Sequence, residues 1–203
     1  MNHRDDELRQ QALAIGRRHR FDEAHAVQVA RLAVELFDAL SPSRQFRPTD
    51  RRILMAAALL HDVGMTISFQ KHHKHSFKMI TEAELPGLTT HERILAAHVA
   101  RYHRKSEPAE RHAEYAELNE EDREAVNKLA AILRVADVLD RDHTQRVRGL
   151  AVTAVEHEMT IDVGDAPLTD PATLARKAAL FERVFGCAIR FVGQPTADER
   201  QVE

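Results

Sequence analysis

The sequence predicts a mainly α-helical protein, a helical bundle carrying a small strand–strand–helix–strand (α+β) appendage near its C-terminus. Three observations carry this expectation. Up to about residue 140, apolar residues recur at three- and four-residue spacing, in segments punctuated by Pro, Gly and capping residues. After Thr144 the period switches to two. Of the 203 residues 43% are apolar but only 5% are aromatic, so the core is to be built mainly from Ala, Leu, Ile and Val. This length suits one well-buried domain with a small addition. The expected divisions are a helical body over 1–146, an appendage packed on it over 147–193 and a disordered tail over 194–203.

Asp5 to Arg20 has Leu8, Ala12 and Ile15 on one side and forms the first helix. Asp22 caps the second, Glu23 to Leu40, whose apolar stripe begins His25, Val29, Leu32, Leu36. Leu36, Phe37 and Leu40 suit either the core or a homodimer face. Ser41-Pro42-Ser43 ends the helix. Thr49 or Asp50 caps the third, which closes on Leu59-Leu60-His61-Asp62-Val63-Gly64. Ile67 and Phe69 are expected to anchor the connector that follows. His72-His73-Lys74-His75-Ser76 leads into a helix with Phe77, Met79, Ile80 and Ala83, stopped by Leu85-Pro86-Gly87. Thr90 caps the next helix, which runs from His91 to about His103. Lys105 to Glu117 lacks periodicity and reads as an exposed or mobile connection. From Glu120 the helical period resumes through Asp140. Two alternating runs, Leu150–Val155 and Met159–Val163, flank Glu156-His157-Glu158 as a hairpin. Asp170-Pro171 opens a helix to Phe185, Gly186 stops it, and Cys187 to Val192 forms a last strand.

Composition narrows the function classes. A net charge of -3 gives no general pull toward nucleic acid or anionic membrane. The basic residues make no extended face with interleaved aromatics, which argues against duplex binding. One cysteine, Cys187, excludes an internal disulfide framework and cysteine-rich metal sites, and its apolar strand context favours packing. No run reaches membrane-span length and the charged start is not a signal peptide, so the expected location is cytoplasmic. There is no glycine-rich phosphate loop and no nucleophile-elbow serine.

Chemistry is expected where polar ligands interrupt apolar stripes. Ile53, Ala57, Leu60 and His61 stand at offsets 0, 4, 7 and 8, which puts the His61 ring on the buried side of its helix end. His25 begins one apolar stripe, and Asp137 interrupts another. A lone carboxylate or imidazole there is costly unless paired or bound to a cation. Each also has a bland reading: His25 bonded to a backbone carbonyl, Asp62 as a turn residue, Asp137 paired with Arg134 or Arg141. Their joint occurrence on three helices favours a shared ion. Nitrogen and carboxylate ligands suit Mn, Fe, Zn, Co or Ni, with Mg fitting if water supplies many ligands. A second group, His72, His73, His75 and His103, would supply a second metal or acid–base groups near a leaving oxygen. The flanking cations, among them Lys74, Arg104, Lys105 and Arg141, point to an anion, phosphate foremost. His98 faces elsewhere and is read as a satisfied local residue.

The order His25, His61-Asp62, Asp137 resembles the H…HD…D signature of the HD-domain superfamily of metal-dependent phosphohydrolases. His72-His73-Lys74-His75-Ser76, Leu85-Pro86-Gly87, Arg101-Tyr102-His103-Arg104-Lys105 and Leu139-Asp140-Arg141 narrow the resemblance. They are similar to words in the C-terminal HD domain of the exopolyphosphatase/guanosine-pentaphosphate phosphatase (Ppx/GppA) family. The resemblance covers roughly residues 21–148. It implies an HD-type bundle with metal ligation by His25, His61, Asp62 and Asp137. It further implies that His75 and His103 complete a second site or act, with Asp62, as catalytic groups, and that Lys74 and Arg104 meet phosphate oxygens.

The family's polyphosphate or pentaphosphate hydrolysis belongs to an N-terminal actin-like domain pair. This sequence offers no counterpart, because glycine is scarce and its first third is helical. Two readings follow. One is a metal-dependent phosphohydrolase acting on a nucleotide or small phosphate ester. The other is a non-catalytic module that binds polyphosphate or a phosphonucleotide beside a separately encoded catalytic chain.

Overall fold

The computed structural model describes residues 3–42, 44–155 and 157–194. Ser43, Glu156 and nearly all of the expected tail lie outside them. Among the described residues eight α-helices and three strands follow in the order α1 (His3–Arg18), α2 (Glu23–Leu40), α3 (Asp50–Leu60), α4 (His72–Glu82), α5 (Thr90–Arg101), α6 (Ala113–Ala116), α7 (Glu120–Leu139), β1 (Ala151–Val155), β2 (Glu158–Pro167), α8 (Pro171–Phe185) and β3 (Ala188–Gln194). A 3₁₀ turn, Val63–Thr66, separates α3 from α4.

Local chemistry explains the boundaries. Asp22 accepts from the backbone of His25 and starts α2. Thr89, not Thr90, caps α5 in a reciprocal capping box with Glu92. Asn119 starts α7, and Asp170 followed by Pro171 starts α8. Gly186 closes α8 at φ 65°, a conformation that favours glycine.

Helix α3 organises the bundle. Every residue from Ile53 to Leu60 is buried, because α1, α2, α5 and α7 pack around it. Leu36, Phe37 and Leu40 belong to this core, which removes them from any partner face. The appendage is a three-stranded sheet in the order β1-β2-β3. β1 and β2 form the antiparallel hairpin, with Thr153 opposite Thr160. β3 returns parallel to β2 after α8 crosses over, and α8 packs on α7. β3 extends to Gln194, one residue into the expected tail, because the Gln194 carbonyl accepts from the Leu168 amide at 3.0 Å. Among the described residues no helix is long and apolar enough to cross a membrane.

Two expectations are corrected here and one is refined. Ile67 and Phe69 do not anchor the connector; they are 58% and 66% exposed, because the 3₁₀ turn buries Val63 and Gly64 instead. The 105–117 connection is largely exposed, as expected, but it is not wholly irregular: it includes α6, whose Tyr115 is buried with its hydroxyl donating to Asn127 at 3.2 Å. His98 is not satisfied locally. Its buried Nδ1 has no hydrogen-bond partner among the described residues, and its ring stands edge-on to Phe77 at 4.9 Å and to Tyr115 at 6.3 Å.

Burial, aided by the Arg101 charge, pushes the His98 pKa from 6.5 to about 4. Its folded form therefore binds fewer protons than the unfolded chain between those values, and stability falls as pH drops through that window. At about 1.4 kcal/mol per unit, the loss approaches roughly 3 kcal/mol. Urea unfolding of the wild type and His98→Phe across pH 7 to 4 is expected to show a shallower acid slope in the variant. Parallel slopes would assign the acid sensitivity elsewhere.

Candidate metal centre and its basic cleft

Five helix ends meet here, that of α3 among them. His25 comes from the first turn of α2, and His61-Asp62 from the α3 terminus. His72 opens α4, His103 lies just past α5, and Asp137 sits in the last turn of α7. The histidines are essentially inaccessible to solvent.

The hydrogen bonds define the tautomers. His61 Nδ1 lies 2.7 Å from the Ala58 carbonyl, His72 Nδ1 3.0 Å from that of Phe69, and His103 Nδ1 2.7 Å from that of Ala100. A carbonyl oxygen only accepts, so each Nδ1 carries the hydrogen. His25 Nδ1 donates to Asp140 Oδ2 at 2.8 Å, and Asp140 is held in turn by the Gln145 amide at 2.7 Å. In the neutral ring every Nε2 is then a lone pair facing inward.

Arg104 Nη1 approaches His72 Nε2 at 3.4 Å as a donor, but otherwise what those lone pairs meet is more lone pairs. Asp137 Oδ1 stands 3.6 Å from His25 Nε2 and 3.7 Å from His61 Nε2. Asp62 Oδ2 is 3.7 Å from His61 Nε2, and Oδ1 is 3.1 Å from His72 Nε2 and 3.3 Å from His103 Nε2. The Nε2 atoms of His72 and His103 are 3.4 Å apart. Despite these approaches, Asp62 Oδ1, His25 Nε2 and His61 Nε2 are buried without a properly directed hydrogen bond. Proximity alone does not satisfy them, since an acceptor opposite an acceptor gains nothing.

Positive charge must stand between such groups, as protons or as a metal ion. Burial works against the charge on His25, yet Asp137 and Asp140 outweigh it and raise the pKa to about 9 without an ion. Burial holds His103 low despite Asp62. Burial also opposes the charge on Asp62 and Asp137, but His61 lowers the first and Lys177 the second well below the ordinary carboxylate range. Protonating every ring would crowd like charges together. A cation bonded at about 2.1 Å spaces its ligand atoms roughly 3 to 4 Å apart, which matches the observed separations. An Nδ1–H donated to a carbonyl or carboxylate is also the usual outer support of a histidine ligand. Two three-residue groups bring their ligand atoms within 4.8 Å of one another, His25-His61-Asp62 and Asp62-His72-His103, with Asp62 common to both. Asp137 Oδ1 faces the first.

His75 is displaced from its expected place. Lys71 starts α4 in the left-handed region at φ 60°, which aims His72 at Asp62. His75 lies three residues on, about 4.5 Å further along the axis, with its Cβ against Gly64. Lys74 is displaced too: two positions after His72 it points roughly 200° round the helix, into a separate depression beside Phe77 and Glu114.

A cleft of about 490 Å³ opens over the centre, with Asp62, His103 and Asp137 on its floor. Arg104, Lys105 and Arg141 line it as cations, joined by Arg134, Arg176 and Lys177. Lys177 of α8 donates to Asp137 Oδ2 at 2.5 Å and to the His103 carbonyl at 3.0 Å. Sequence reasoning did not single it out, although a lysine on the stripe Leu174, Ala178, Phe181 was a visible signal. His143, also passed over, lines the cleft, stacks on His25 at 3.7 Å and donates to Asp22 at 2.8 Å. Cys187 is buried and its thiol is pushed up by that burial, so it is no nucleophile.

The fold and site thus define a class: a helical domain built around a buried histidine–aspartate centre beneath a cationic cleft. The family model described as Ppx/GppA phosphatase, domain III, matches residues 8–178, and the chain belongs to that family. It is 33% identical over 148 residues to a guanosine-5'-triphosphate,3'-diphosphate pyrophosphatase of Aeromonas hydrophila, covering 71% of this chain and 29% of that protein. The corresponding Photobacterium profundum protein is 29% identical over 151 residues, covering 72% and 29%. The Vibrio vulnificus protein is 31% identical over 104 residues, covering 50% and 21%. The chain therefore spans less than a third of these relatives' length.

Proposed function

We propose that this domain is a metal-dependent phosphohydrolase of the HD type, acting on a nucleotide or small phosphate ester. The observation that carries the reading is the pair of buried Nε2 atoms, of His25 and His61, that have no hydrogen-bond partner among the described residues and face Asp62 and Asp137 beneath a cationic cleft. In this reading His25, His61, Asp62 and Asp137 hold one divalent ion, and Asp62, His72 and His103 hold a second. A bound divalent cation supplies a water acidified toward neutral pH and polarises the phosphoryl group.

The chain's own residues do the rest. The carbonyls of Ala58, Phe69 and Ala100 keep three rings in the ligating tautomer. Lys177 fixes Asp137 by holding its outer oxygen, leaving Oδ1 toward the histidines. Arg104, Lys105 and Arg141 neutralise and orient phosphate oxygens, with Arg176 beside them. Relatives named guanosine-5'-triphosphate,3'-diphosphate pyrophosphatase make a phosphorylated nucleotide a natural substrate class. A purely anion-binding surface has no use for carboxylates at its floor, which favours hydrolysis over a binding-only role.

The test is phosphate release from a panel of nucleotides, sugar phosphates and polyphosphate, with Mn, Co, Ni, Zn or Mg added to metal-stripped protein. We expect turnover with at least one metal and none after chelation. Stoichiometric metal uptake with no turnover on any substrate would replace this reading with the binding module.

A further inference from the structure

Phe69 is 66% exposed, yet its ring stands in the wall of the basic cleft and not on open surface. It takes no part in the hydrophobic core. The Arg104 guanidinium carbon lies 5.7 Å from the ring centroid, and the His72 ring is 6.0 Å away at 57°. Beneath the ring the Phe69 carbonyl accepts from His72 Nδ1, so this stretch of backbone is tied to the centre. Folding therefore places a large aromatic face at the rim of a cationic cavity, backs it with a guanidinium and leaves much of it in water.

A lone phosphate needs neither an aromatic face nor a space of about 490 Å³, which falls in the range of small-molecule sites. Phosphate compounds that would use both carry a planar ring a few bonds from the phosphorus. Resting on the phosphohydrolase reading, we propose that Phe69 is a specificity-determining residue that selects nucleotides over other phosphate esters by stacking on the base. The phosphate lies toward Arg104 and the Asp62 floor, and the base lies on the accessible face of the ring. A guanidinium close to the same ring adds cation–π polarisation. Stacking uses the π-face that every base has, so selection is for a nucleobase and not for one particular base.

The experiment measures binding to metal-loaded protein of two hydrolysis-resistant methylenephosphonates, the analogues of adenosine 5′-monophosphate and of ribose 5-phosphate, with inorganic phosphate as a third probe. The readout is the ratio of the two analogue Kd values in wild type, Phe69→Ala and Phe69→Tyr. Loss of one base stack is worth about 10-fold or more. The adenosine analogue is expected to bind at least 10-fold more tightly in wild type, the ratio to fall toward one in Phe69→Ala, and the tyrosine variant to keep the preference. Equal binding of both analogues in wild type, or the same ratio in Phe69→Ala, would overturn the proposal while leaving the phosphohydrolase reading standing. Failure of all three probes to bind would overturn both.

Discussion

Substituting His61 with alanine is expected to leave a folded protein that no longer retains a divalent ion at the first group. His61 Nε2 is fully buried, faces Asp62 and Asp137, and has no other partner among the described residues. Loss of outer-shell support alone typically costs 10- to 100-fold in metal affinity, so removal of a ligand atom should cost more than about 100-fold. Asp137→Asn tests the same point with little change of shape. It keeps an oxygen for Lys177 but removes the charge shared with His25 and His61. The measurement is metal content by mass spectrometry after purification without added metal, alongside thermal unfolding. Near-stoichiometric metal is expected in wild type, with a sharp drop in both variants. Equal content in all three would sink the metal-centre reading.

The second large effect is expected at Gly64. A Cβ built there would lie 2.4 Å from the His72 carbonyl oxygen and 2.5 Å from the Ser76 amide nitrogen. Both obstacles are backbone, so no side-chain rotation relieves the clash. The Gly64 amide also donates to Ser76 Oγ at 2.9 Å, so the start of α4 is seated directly on this glycine. Gly64→Ala must lift α4 away from the α3 terminus at a cost of about 3 kcal/mol, the upper part of the range for overpacking. Because α4 carries His72, the displacement should also weaken the Asp62-His72-His103 group. Urea unfolding reads the first effect and metal titration the second. An alanine variant with wild-type values in both would mean the close approach is not required.

Periodicity alone placed His25, His61 and Asp137 on or beside buried faces, and the structure brings each histidine within 4 Å of the Asp137 carboxylate. The helical body and the hairpin-plus-crossover tail follow from spacing for the same reason: burial acts on side chains whose order is visible in the chain. The choice between His72 and His75 depends instead on the phase of one helix, set by the left-handed backbone at Lys71, and no local pattern announces that. Lys177 carried a signal, a cation among apolar neighbours, but its partner lies 40 residues earlier and only tertiary packing of α8 on α7 joins them. Ile67 and Phe69 misled because an apolar side chain in a connector is usually buried, whereas here the 3₁₀ turn does the anchoring.

The ion pair between Lys177 and Asp137 also has a bearing on synthesis. As the nascent chain leaves the ribosome, α7 emerges before α8, and for that interval the Asp137 carboxylate has no lysine counter-charge. Removing one partner of such a pair costs up to about 3 to 5 kcal/mol, of which the His25 and His61 rings facing Oδ1 offset a part. The helical body should therefore lock only after the crossover helix docks. A chain cut after Asp140 should be retained by chaperones or degraded, not accumulate as a smaller native domain.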